Sequence, residues 1–235
     1  MGVSYDIPGM GYKNPQTGAI EGFEPDLARA IAVKLLGSGD RVDFVQVTDD
    51  QRIQALQDDR VDCVVSQLTI TADRAEQVAF TVPYWVTEEA ILVRKGSGIH
   101  GFEDLAGKRI AATAGSVSIR RMRASLASLP GTTLVETPLS AGNLEAVARG
   151  DADAASNDRI NLTCLKDASP HPDDFEIIAI GERFDPKPFG IAVKKGRLDL
   201  VNLLNEAIES LQMEGAIERL MDAAMAGIRA PATSG

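Results

Sequence analysis

Histidine and cysteine are scarce in this chain, two of each: His100 and His171, Cys63 and Cys164. Neither cysteine stands at a metal-type spacing and both histidines fall in loop-like sequence, so a metal centre or a histidine-based catalytic site has too few ligands, and no metal or cofactor is expected. The thiols are expected to be free and packed, because Cys63 falls in an apolar strand and Cys164 in a helix of the other half of the chain. Long apolar runs are missing as well. Stretches such as Ile177 to Ile180 fall far short of the roughly 20 residues that span a bilayer. Positive charge is in deficit: 24 Lys and Arg stand against 34 Asp and Glu, a net charge of −10 at pH 7. Nucleic acid needs a basic surface, so it is excluded as a partner. The run Arg120-Arg121-Met122-Arg123 spreads its three arginines around a helix and reads as a solvated face. The opening Met1-Gly2-Val3-Ser4-Tyr5 reads as a strand without a basic leader, so an export signal or lipid anchor is expected to be missing from this sequence.

What is present is an ordinary globular composition, 44% hydrophobic and 25% charged over 235 residues, enough for one or two domains. Strand-like and helix-like segments alternate nearly throughout, which is the pattern of an α/β protein with mostly parallel sheets. Pro25 fits a first helical position, Leu27, Ile31 and Leu35 recur on one face, and Gly37 is the stop. Strands follow over Val42 to Val47 and Val61 to Val65, with a short helix between them, and Thr71 is expected to cap a helix running to Val78. Val86 to Val93 opens a second series of the same design. It continues through Arg109 to Thr113, Thr133 to Thr137, Ala152 to Ser156 and Phe175 to Ile180, with helices between the strands. Two proline-bearing segments, Val82-Pro83-Tyr84-Trp85 and Arg183-Phe184-Asp185-Pro186-Lys187-Pro188, flank that series. Proline breaks helices and central strands, so on composition these segments read equally as surface loops or as crossings between two halves.

Gly18 to Ala28, with its core Gly22-Phe23-Glu24-Pro25-Asp26-Leu27, resembles the opening motif of the periplasmic polar amino-acid-binding proteins, receptors of ABC transporters. At matching spacings come Arg60 to Val65, Leu68-Thr69-Ile70-Thr71-Ala72-Asp73-Arg74, Phe80 to Tyr84, Asp104 to Ile110, Ala114-Gly115-Ser116, Gly150 to Ala154 and Phe189 to Gly196. Eight weak motifs in order over nearly the whole chain are specific together. The resemblance implies the type II periplasmic-binding-protein fold, two Rossmann-like lobes joined by two hinge strands. One lobe is then 1–84 with 189–235 and the other 89–184, with hinges near 85–88 and 185–188. It also implies a monomer outside the cytoplasm that closes on a free amino acid in the cleft between its lobes, does no chemistry on it, and delivers it to a membrane permease or reports it to a sensor.

A free amino acid carries a carboxylate and an ammonium on one carbon, so its site needs a cation and an anion. By the resemblance, Arg74 grips the α-carboxylate, in the two-pronged way a planar guanidinium allows, and Asp158 takes the ammonium. Taken alone, Arg74 would be a surface arginine opposing a helix dipole and Asp158 an N-cap. Thr69, beside Gln67 at a strand end, offers a hydroxyl and backbone groups. Ser116 and the amide of Val117 stand where a helix begins, a place that favours anions, and plain capping by Ser116 or Ser118 is a second role that can coexist with it. Thr113 adds a hydroxyl, and Phe189 opens the last motif. Arg52 matches an arginine that pairs with the distal carboxylate in glutamate- and aspartate-binding relatives, and Asp49 stands where others place an aromatic. Tyr5 and Asp6 resemble the acidic-amino-acid members, yet Asp6 would repel a ligand carboxylate unless Arg52 or Lys13 offsets it. Glutamate or aspartate is therefore favoured, with asparagine, glutamine and histidine still open. The rival from another class is a dehydratase of the prephenate or arogenate type on the same fold. It needs a general acid in the cleft, and the sequence presents no histidine or glutamate at a matched position.

Overall fold

A computed structural model describes residues 1–229. In chain order, β1 (Gly2–Val3), β2 (Asp6–Ile7), β3 (Gly11–Lys13) and β4 (Ile20–Glu21) lead into α1 (Phe23–Leu36). Next come β5 (Val45–Gln46), α2 (Arg52–Gln57), β6 (Cys63–Val64), α3 (Ala72–Ala75), β7 (Val78–Thr87) and β8 (Glu89–Arg94). β9 (Arg109–Thr113), α4 (Val117–Ser125), β10 (Thr133–Thr137), α5 (Ala141–Arg149), β11 (Ala154–Asp158), α6 (Arg159–Asp167) and β12 (Phe175–Ala179) form the second series. β13 (Lys187–Lys194), α7 (Leu198–Met213) and α8 (Ala216–Arg229) close the described chain.

The chain divides into two compact units, one of Met1–Val47, Arg52–Trp85 and Pro188–Gly235, the other of Thr48–Gln51 and Val86–Lys187. The long strands β7 and β13 each change unit within their own length, between Trp85 and Val86 and between Lys187 and Pro188.

The first unit holds a five-stranded sheet in the order β5-β1-β6-β13-β7, with a small β2-β3-β4 sheet beside it. Its core gathers Val47, Ala55, Leu56, Val61, Val64, Leu68, Val78 and Ala192. Each valine or leucine side chain among them, taken out of water, contributes about 1.5–3 kcal/mol. Helix α1 forms where the leucine and isoleucine spacing predicts. It begins two residues before Pro25, which sits in the first turn, where a missing N–H costs nothing.

The second unit holds the sheet β10-β9-β11-β8-β12. β8 is an interior strand covered on both faces: Ile91 and Val93 pack on one with Phe102, Leu105 and Met122, while Ala90 and Leu92 pack on the other with Ala146, Leu162 and Phe175. A strand buried on both faces reads as a continuous apolar run rather than an alternation.

Two expectations, on the length of one helix and on its cap, are corrected here. The helix after Thr71 ends at Ala75, and Val78 already begins β7. Thr71 holds the N-cap position in extended backbone, but its hydroxyl makes no capping bond and is buried without a hydrogen-bond partner. Pro83 does not interrupt β7, because that strand lies at the edge of its sheet, where a missing donor breaks no ladder. Both cysteines are free and buried, and among the described residues no helix is long and apolar enough to cross a membrane.

Candidate functional site

In the first unit the chain leaves β6 and passes through Ser66, Gln67 and Leu68 to Thr69, which forms an antiparallel bridge with Phe189 of β13. Gln67 is held at φ 42, a left-handed conformation that a non-glycine residue adopts only under constraint. The constraint is visible: its backbone N–H donates to Glu24 Oε1 at 2.7 Å, and its side-chain amide donates to Ser4 Oγ at 3.2 Å and to Glu24 Oε2. Tyr84 donates its hydroxyl proton to the same Glu24 Oε1 at 2.5 Å. Glu24 is fully buried, and desolvation pushes its pKa up to about 7 against these three hydrogen bonds and the field of Arg52.

Arg74 lies in the short α3 and is 4% exposed. One of its N–H groups, on Nη1, donates to the carbonyl of Thr69 at 2.9 Å. Arg52, 2% exposed, donates from Nη1 to the carbonyl of Ser66 at 2.5 Å. Two guanidinium groups thus sit behind consecutive turns of one backbone segment. Phe189 is wholly buried with its ring 6.2 Å from that of Tyr84, which makes it a wall of the core. Tyr5 is half-buried and donates its hydroxyl to the Phe44 carbonyl at 3.2 Å, while Lys13 lies over its ring. Asp6, also half-buried, is held opposite Tyr12 in the small sheet.

In the second unit, Thr113 ends β9 and is 1% exposed. Its hydroxyl lies 3.1 Å from Ser140 Oγ and accepts from Asn143 Nδ2 at 3.0 Å, and Asn157 Nδ2 donates to Ser140 at 3.2 Å. Ser116 caps α4, accepting from the Ile119 N–H at 3.1 Å, and Val117 opens that helix. Asp158 occupies the N-cap position of α6, yet its side chain makes no capping bond. It meets Lys187 Nζ at 2.9 Å instead. Burial raises the Asp158 pKa and the Lys187 charge opposes that rise.

Sequence reasoning missed Lys187, Glu89, Ser118 and Arg121. Lys187 is 1% exposed and also reaches Ser118 Oγ at 2.9 Å and Glu89 Oε2 at 3.3 Å. Glu89 is 0% exposed and accepts from Ser156 Oγ at 2.8 Å and, more distantly, from Arg121. The arginine run is therefore solvated at Arg120 and Arg123, while Arg121 turns inward to Glu89. One signal was available: Glu89 opens the apolar run Ala90 to Val93, and a charge at such a place needs a partner.

The model of the bacterial extracellular solute-binding proteins, family 3, matches residues 1–225. The ABC transporter glutamine-binding protein GlnH of Bacillus subtilis is 32% identical over 220 residues, 93% of this chain and 78% of its own length. The glutamate-binding protein GluB of Corynebacterium glutamicum is 27% identical over 230 residues, 94% of this chain and 76% of its own. Among solved structures, an ancestral arginine-binding protein bound to arginine superposes with a TM-score of 0.84 at 30% identity, covering 94% of this chain and 95% of that one. These relatives are named as binding proteins, and the expected type II periplasmic-binding-protein fold is the fold of the superposed structure. The chain belongs to the bacterial extracellular solute-binding proteins, family 3.

Proposed function

We propose that the chain is the receptor of an amino-acid ABC transporter, a monomer working outside the cytoplasmic membrane, and that it binds a free L-amino acid of the glutamine and glutamate class for a membrane permease. One observation carries this reading. Each unit holds a buried charge of the sign a zwitterion requires, Arg74 at 4% exposure in the first and Asp158 at 5% in the second. Arg74, with the backbone around Thr69, would take the α-carboxylate, Asp158 the α-ammonium, and the Ser116–Val117 helix start would add donors to the carboxylate. Thr113, Gln67, Tyr5, Asp6 and Phe189 would act mainly behind this shell. A ligand touched by both units would favour a closed arrangement, with the crossings in β7 and β13 serving as the hinge.

The side-chain preference turns on Arg52. Its guanidinium is engaged by the Ser66 carbonyl and opposed by Glu24, so a distal carboxylate would meet a cation whose charge is already partly balanced. A carboxamide therefore competes with a carboxylate on nearly equal terms.

A thermal-shift panel of the twenty amino acids tests the reading, because a ligand bound by the folded state alone raises the melting temperature. L-glutamine and L-glutamate should give the largest shifts. A flat panel, or one led by apolar amino acids, would refute it.

A further inference from the structure

Asp158 and Glu89 are direct cross-strand partners in the antiparallel pair β11 and β8. Two like charges placed opposite one another destabilise a sheet. Here both are also buried, at 5% and 0% exposure, which multiplies the penalty. Lys187, the first residue of β13, resolves the conflict by placing its ammonium 2.9 Å from Asp158 Oδ1 and 3.3 Å from Glu89 Oε2. Ser118 Oγ, at 2.9 Å, also accepts from it. An ammonium has three N–H donors; two of those of Lys187 are hydrogen-bonded, to Glu89 and Ser118, and Asp158 is held by charge. Asp158 Oδ1 is buried without a hydrogen-bond partner, and the Lys187 ammonium faces it as an ion pair at 2.9 Å.

We infer that Lys187 is a positioning residue for ligand recognition: by its ion pair it keeps Asp158 an oriented carboxylate, ready to receive the α-ammonium of the amino acid. This rests on the proposed role of Asp158. The groups that set the charge of Asp158 are Lys187 from β13, Glu89 from β8, with Arg121 of α4 behind it, and Asp49. Glu88 and Arg159 form an exposed ion pair beside it. Burial, Glu89 and Asp49 favour the protonated acid, and Lys187 opposes them. Without Lys187 the carboxyl would hold its proton to higher pH, and the α-ammonium would lose its counter-charge.

The test is isothermal titration of L-glutamine and L-glutamate between pH 5 and 9 on the wild type and on Lys187→Met, Lys187→Arg, Glu89→Gln and Asp158→Asn. Lys187→Met should weaken binding at least about tenfold at neutral pH and move the acid limb of the affinity profile to higher pH. Lys187→Arg should restore most of the affinity. Glu89→Gln removes a like charge and should move the acid limb the opposite way, so the inference stays testable even if Lys187→Met does not fold. An acid limb that stays in place in both Lys187→Met and Glu89→Gln, or that stays in Glu89→Gln when Lys187→Met cannot be made, overturns the role given to Lys187. Asp158→Asn separates this failure from that of the reading beneath it: undiminished binding there would remove Asp158 from the site altogether.

Discussion

The guanidinium of Arg74 donates through Nη1 to the carbonyl of Thr69 at 2.9 Å, joining the first turn of α3 to the strand-end residue that bridges to Phe189. A guanidinium carries five N–H donors in a planar fork. The bond to Thr69 engages one of them and ties the guanidinium to the backbone at the strand end.

Arg74→Ala should therefore remove the α-carboxylate grip for every amino acid, whatever its side chain. Losing one partner of a buried, hydrogen-bonded charge pair costs about 2–5 kcal/mol, roughly 30-fold to several thousand-fold in affinity. Arg74→Lys should fare little better, since a point charge cannot reproduce the fork. Calorimetric titration of glutamine, glutamate and asparagine would check this. A variant that lost one ligand and kept the others would place Arg74 at the side chain and contradict the assignment.

Glu24 makes stability depend on pH in a direction opposite to that of an ordinary salt-bridged carboxylate. Its pKa rises from 4.5 to about 7 on burial, so the folded protein keeps this proton over a range in which the unfolded chain has lost it. The stability it contributes is fully present below about pH 4.5, declines through the interval and is gone above about pH 7, on the order of 3 kcal/mol in all. Glu24→Gln keeps the acceptor without the titration. Urea unfolding at pH 5, 6, 7 and 8 should show the variant gaining on the wild type as pH rises, and parallel curves would exclude the buried titration.

The parts of the fold that the sequence makes legible are those set by local pattern. Leu27, Ile31 and Leu35 define α1 by their spacing, and the apolar run Ala90 to Val93 marks β8 as a strand buried on both sides. The stretch from Thr71 to Val78 is harder to read, because a cap-like threonine does not say how soon the helix gives way to a strand. Only the edge position of β7 makes Pro83 tolerable. Arg74 and Thr69 could be found because they lie five residues apart in one motif. Lys187 could not, because its partner Glu89 stands 98 positions away and register alone sets Glu89 opposite Asp158.

Gly22 is a position where backbone geometry admits little else. It sits at φ 116 and ψ 177 before α1, and a Cβ there would stand 2.8 Å from the Met10 carbonyl oxygen. The same carbonyl accepts the Glu24 N–H at 2.9 Å, so any retreat of Met10 loosens the start of the helix that carries Glu24. Gly22→Ala should cost about 2–4 kcal/mol, combining backbone strain with a weakened helix start. In a chain of this size that lowers the melting temperature by roughly 5–15 °C. A change of a degree or less in a calorimetric melt would show that the loop accommodates a methyl group.

Thr113 separates two roles that sequence reasoning could not tell apart. Its hydroxyl was expected to face the ligand, yet at 1% exposure it is shared between Ser140 and Asn143, and Asn143 also accepts from Thr137. Thr113→Val preserves the shape and leaves the Asn143 amide and the Ser140 hydroxyl each short of a partner, a loss of about 1–3 kcal/mol in a buried polar network. If the hydroxyl serves the framework, the unfolding free energy should fall by that amount while affinity for glutamine changes less than about threefold, under 1 kcal/mol. If instead it contacts the ligand, affinity should fall tenfold or more. Parallel urea titrations and calorimetry on one preparation decide between the two, and the hydrogen bonds around β9 favour the framework.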